Sequence, residues 1–132
     1  MRRTVRAVIL HVLAPLALGS IIYLFWRDQS LSIFGFALNA QPHSLTSVVS
    51  LPRFVLYSLP DGFWVYSFTA FMTLVWRGSR SRFRFLWLLS GLALAIACEL
   101  GQLAGVVPGT YDVLDLLSAI VATLLALFLN TK

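Results

Sequence analysis

The sequence predicts an all-α membrane protein, a polytopic bundle of four transmembrane helices. Three observations lead there. Of 132 residues, 59% are hydrophobic and 11% charged, against about 45–50% apolar and about 25% charged in an ordinary soluble domain. A soluble domain of this size buries too small a fraction of its surface to hide so much apolar area, whereas lipid accepts it. The apolar residues fall into four runs separated by short polar or basic pieces, the pattern of a polytopic chain. The length leaves room for one integral membrane domain, residues 1–132, and no second soluble one.

The first run, about residues 5–26, follows Arg2, Arg3 and Arg6 and imitates a secretory signal. It is longer than the about 7–15 apolar residues of a signal core, and "FWRDQS" follows it in place of a small-residue cleavage site, so it is expected to stay as an uncleaved span. The second run, about 61–76 ("DGFWVYSFTAFMTLVW"), is short and aromatic. A span needs about 20 residues, so this one is expected to borrow residues at its ends. The third covers about 85–107 and the fourth about 112–130. Residues 28–60 form the one long connection, and loops of this length without structure are uncommon. Its apolar pieces, Leu31–Leu38 and Leu45–Leu59, are expected to lie at the interface or re-enter the membrane, divided by Pro42, Pro52 and Pro60. Reading Leu45–Leu59 as a full span is a rival; it would move Arg77–Arg84 to the side opposite the N-terminal arginines.

Charge sets the expected orientation. In the four-span arrangement the N-terminus, the loop carrying Arg77, Arg80, Arg82 and Arg84, and Lys132 share one side, with eight of the ten basic residues. Arg27 and Arg53 are on the other. Basic residues gather on the cytoplasmic side, which predicts a membrane protein with both termini on that side. Clusters this short do not make the continuous basic face that nucleic acid requires, so no nucleic-acid partner is expected. The single Cys98 has no disulfide partner and no metal-ligand spacing, and reads as a small apolar helix residue.

Within "LALAIACELGQLAGVV", Glu99 and Gln102 lie three apart and so share a helix face in the outer half of the third span. A carboxyl in hydrocarbon is costly and usually faces a bundle interior, a partner or a water-filled cavity, which makes Glu99 a functional candidate and Gln102 its orienting partner. The alternative is an interhelical hydrogen bond that only fixes packing. Ala97, Gly101 and Gly105 are spaced four apart on the far side of the helix, a pattern that lets helices approach closely. Asp112 and Asp115 open the fourth span after the Pro108–Gly109 turn. Asp112 reads mainly as an N-cap and Asp115 either as a first-turn acid or as a site residue. Asp61, in "LPDGFW", has the chemistry of a turn and of a cap for the second span, with a site role as the alternative. Arg53 either pairs with a carboxylate or snorkels. Trp26, Trp64, Trp76 and Trp87 are expected in the aromatic belt.

The run "CELGQLAGVVPGTYDVLDLLSAIVATLLA" resembles the VanZ-like membrane proteins of bacteria. Glu99 and Gln102 match their Glu-x-x-Gln, and Asp115 the aspartate that opens the last span. The likeness covers roughly the last third of the chain. Where the family pattern has an arginine in the loop this chain has Thr110, and where it has Asn and Gly after the aspartate this chain has Ala119 and Ala122. The resemblance implies a role at the cell envelope connected with glycopeptide resistance.

The expectation is therefore a small membrane protein that binds a lipid head group, a cell-wall precursor or a glycopeptide-related ligand. The ligand site would be outward-facing and acidic, made of Glu99, Gln102 and Asp115 with Asp61 and Asp112 at its rim. No cofactor, metal or nucleophile constellation is expected. The competing classes are a structural or assembly subunit of a homo-oligomer or membrane complex, and a membrane enzyme using paired carboxyls on a lipid-linked substrate.

Overall fold

The computed structural model describes residues 2–26, 32–33, 36–37 and 51–130. The expectations for Arg27, Pro42, Lys132 and residues 45–50 lie outside them. Helix α1 is Arg2–Trp26, α2 Arg53–Val75, α3 Phe83–Leu103 and α4 Val113–Asn130. Strands β1 (Ser32–Ile33) and β2 (Phe36–Ala37) form a two-residue antiparallel ladder where the sequence pointed to an interfacial or re-entrant piece. Three helices, α1, α3 and α4, are long and apolar enough to cross a membrane. Helix α2 is 23 residues long but interleaves Ser58, Asp61, Ser67, Thr69 and Thr73 with its apolar residues.

The element boundaries differ from expectation at two places, each for a local reason. Helix α2 begins at Arg53, so residues 53–59 are its first turns. Pro52 stands extended just before it, and its carbonyl accepts the N–H groups of Val55 and Leu56. Pro60 does not divide the segment. It is buried inside α2, with Gly19 of α1 against it: a Cβ on Gly19 would lie 3.1 Å from the Pro60 carbonyl oxygen and 3.1 Å from Phe63 Cβ. A proline inside a membrane helix is tolerated where protein rather than lipid covers the interrupted bonding. Asp61 therefore lies within α2, and its expected roles as turn residue and cap are not what the structure shows. Helix α3 stops at Leu103, short of Val107. Gly105 has φ +70°, Gly105 N–H bonds the Gln102 carbonyl at 3.0 Å and Val106 N–H bonds the Gly101 carbonyl at 2.8 Å, a Schellman ending. This ending also reassigns the Ala97–Gly101–Gly105 face. What lies against Gly101 is the side chain of Val107, and a Cβ on Gly105 would meet open space.

Helix α1 has a second irregularity. Ile9–Leu13 form a π-turn, closed by a bond from the Ala14 N–H to the Ile9 carbonyl. Pro15 is the cause: it brings no N–H, and its ring collides with the carbonyl four residues back, that of His11, so the helix widens ahead of it.

Helix α2 is the hub, packed most extensively on α4 and also on α1 and α3. Gly19 meets Pro60 and Phe63, while His11 meets Tyr66, so α1 and α2 run antiparallel. The buried set is small and hydroxylic: Ala70, Thr69, Thr73, Ala119, Ala122, Thr123 and Ala126. The bulky apolar side chains point outward, with Phe83 66%, Leu94 67% and Phe128 63% exposed. This inversion of a soluble core is physically sensible in lipid, where large side chains face the tails and small ones let helix backbones approach. Thr73 donates to the Thr69 carbonyl and Thr123 to the Ala119 carbonyl, each at 2.8 Å, while Ser58 Oγ and Thr69 Oγ1 are buried with no hydrogen-bond partner among the described residues. The chain is a membrane protein on both counts.

Candidate functional site

The turn between α3 and α4 is built around Glu99. Its residue is only 6% exposed, and its Oε2 accepts the backbone N–H of Asp112 at 3.0 Å. Asp112 in turn accepts the Leu114 N–H on Oδ1 at 2.8 Å, as an N-cap does. One carboxylate thus holds the start of α4 to the end of α3, and a second caps α4. Gly109, with φ +133°, passes over Gln102 so closely that a Cβ there would lie 2.7 Å from Gln102 Nε2. Only glycine fits that backbone conformation without strain.

Below this turn lies a cavity of about 800 Å³ between α1, α2, α3 and α4. Asp61, Glu99, Gln102 and Asp115 all line it. Four of the five residues singled out in the sequence therefore share one cavity; Asp112 is not among its lining residues. Two buried acceptors in this group, Gln102 Oε1 and Asp115 Oδ1, have no hydrogen-bond partner. Buried acceptors without partners are rare and costly in proteins. The rest of the wall is aromatic and aliphatic, including Trp64, Phe68, Phe71 and Trp87. Trp64 sits midway along α2, its ring 5.4 Å from that of Tyr23, and so belongs to the cavity rather than to an aromatic belt.

The electrostatics are one-sided. Three carboxyl groups line the cavity, and no lysine, arginine or histidine is among the described lining residues. Arg53 is exposed at the first turn of α2. Among the described residues, no three His, Cys, Asp or Glu side chains come together as they would to hold a metal ion. The arrangement offers acceptors and aromatic faces, which suits a donor-bearing or diffuse positive charge.

One polar cluster escaped the sequence reading. His11 Nδ1 and the Tyr66 hydroxyl lie 2.7 Å apart, and Tyr66 also hydrogen-bonds the Asn130 side chain. Asn130 donates through Nδ2 to the Ala126 carbonyl at 2.9 Å. The available signal was His11 itself, an ionisable residue inside an apolar run, four residues before Pro15. No known protein family matches the chain, and no curated protein or solved structure matches it either.

Proposed function

We propose that the protein is a four-span membrane protein whose acidic cavity binds the cationic head group of a membrane amphiphile. The observation that carries this reading is the pairing of Gln102 Oε1 and Asp115 Oδ1, buried without partners, with two further carboxyl residues in an aromatic-walled cavity. An ammonium group supplies the donors those acceptors lack, and Trp64 and Trp87 add attraction for a cation over their rings. The separation of charge along the chain favours both termini on the cytoplasmic side, in a bacterial cytoplasmic membrane, with the cavity opening toward the outer leaflet. The likeness of Glu99, Gln102 and Asp115 to the VanZ-like pattern supports an envelope role; an amine-bearing glycopeptide or cell-wall precursor is the narrower version of the same ligand chemistry.

The test uses the full chain in lipid nanodiscs, with tryptophan fluorescence as the readout because Trp64 and Trp87 line the cavity. Dodecylammonium should change the emission saturably, and neutral dodecyl maltoside should not. Equal responses to the two would defeat the proposal.

A second reading has a specific observation behind it. Glu99 Oε2 already accepts the Asp112 N–H, so Glu99 also serves as a clasp between α3 and α4. Glu99→Leu should lower stability by about 1–3 kcal/mol, the cost of leaving a buried N–H unpaired. Glu99→Gln keeps an oxygen acceptor and should lose much less in the same thermal unfolding assay. If Glu99→Gln is as unstable as Glu99→Leu, charge rather than the clasp geometry holds the turn.

A further inference from the structure

On the other side of the α2–α4 pair is a second cavity of about 600 Å³, separate from the acidic one. It is bounded by α1, α2 and α4, and runs beside α2 from Phe54 to Tyr66, about 18 Å of helix. Phe54, Phe63, Leu117, Val121 and other apolar side chains make nearly all of its wall. No carboxyl group lines it, so the cationic ligand of the first cavity has no counterpart here. His11 and Tyr66 meet at one end, and the remaining polar side chain, Ser118 beside Gly62, already donates to the Asp115 carbonyl.

The chemistry of that end is narrow. Tyr66 engages His11 Nδ1, so Nε2 is the ring nitrogen left to meet a ligand. A phenol O–H is a better donor than an imidazole N–H, and an imidazole nitrogen a better acceptor than a phenol oxygen. With Tyr66 as the donor to Nδ1, the ring proton is left on Nε2. Asn130 holds Tyr66 by a further hydrogen bond and is itself anchored on the Ala126 carbonyl. The π-turn at Ile9–Leu13 is the irregularity that carries His11 to this position, and such turns are frequent at functional sites.

We infer that this cavity is a second ligand site, which takes an uncharged, chain-like apolar molecule and recognises its carbonyl oxygen through His11 Nε2–H. The long apolar wall accommodates the chain. The single donor selects a molecule with an acceptor over a plain hydrocarbon, because a hydrocarbon leaves that N–H unpaired. Two natural sources carry that chemistry, an isoprenoid quinone and the acyl ester of a bilayer lipid.

The experiment follows His11 by nitrogen NMR in the full chain, labelled with ¹⁵N-histidine, in nanodiscs made from ether-linked lipids that carry no ester. The chain has two histidines, and His43→Asn leaves His11 as the single signal. 2-Pentadecanone should bind about tenfold more tightly than pentadecane, the preference expected of one hydrogen bond, and should shift the Nε2 resonance saturably. His11→Phe should keep alkane binding and lose the ketone preference. Tyr66→Phe, which frees the tautomer, should shrink that preference while leaving the alkane unaffected. Displacement of the ketone by a decyl-substituted benzoquinone identifies the quinone source, and displacement by methyl tetradecanoate the acyl lipid. Equal affinity for ketone and alkane in the unsubstituted protein overturns the inference, as does a ketone preference that survives His11→Phe.

Discussion

Replacing Glu99 by Gln and Asp115 by Asn together should weaken binding of dodecylammonium by a hundredfold or more. Each substitution keeps side-chain size and removes one negative charge from a cavity whose described lining has no basic residue. A hydrogen bond to a charged group contributes about 1.5–3 kcal/mol, so losing two such interactions exceeds the about 2.7 kcal/mol that corresponds to a hundredfold change. Gln at 99 still offers an oxygen to the Asp112 N–H, which keeps the α3–α4 turn closed. The check is a nanodisc titration alongside membrane accumulation. Unchanged affinity with normal accumulation would remove both carboxylates from the site.

The largest loss of stability is expected at the opposite kind of position. Ala126 is 0% exposed, on the α4 stripe that also contains Ala119, Ala122, Thr123 and Asn130. Ala126→Leu should cost about 1–3 kcal/mol or more, because extra methylenes in a packed contact force side chains off their rotamers and push the backbones apart. Leu124→Ala, at a residue 61% exposed on the outer face of the same helix, should cost far less. The two variants, compared by thermal unfolding in the same detergent, separate packing from apolarity. Equal losses would show that the α2–α4 contact does not depend on small residues.

Three of the helices, α1, α3 and α4, were legible as apolar spans because crossing a membrane depends on local hydropathy, which the sequence exposes directly. The acidic residues were legible for the complementary reason: a carboxyl within an apolar run is conspicuous, and Glu99, Gln102, Asp61 and Asp115 do line one cavity. Pro60 misled, since its effect depends on whether protein or lipid covers the interrupted backbone, and the cover comes from Gly19, some forty positions earlier. The small-residue face misled in a similar way. Ala97, Gly101 and Gly105 had the right spacing, but Gly105 ends α3 and Val107 folds onto Gly101. Ala119 and Ala122 first counted as departures from the VanZ-like pattern; they are 1% and 7% exposed. Their residue type follows from the closeness of α2, which no local pattern encodes. The His11–Tyr66–Asn130 cluster draws on three helices, and only His11 was conspicuous by itself.

The dominance of the α2–α4 contact has a consequence for how the chain is made. Helix α2 is not among the helices long and apolar enough to cross a membrane unaided, and α4, the helix packed most extensively against it, is synthesised after it. Until residues 113–130 emerge, α2 lacks its most extensive contact, and only α1 and α3 are there to cover it. Newly synthesised chains therefore pass through a stage in which the second helix is poorly suited to lipid, and chains cut short before Ala119 stay there. Surveillance proteases that recognise polar residues exposed to the bilayer would read that stage as damage.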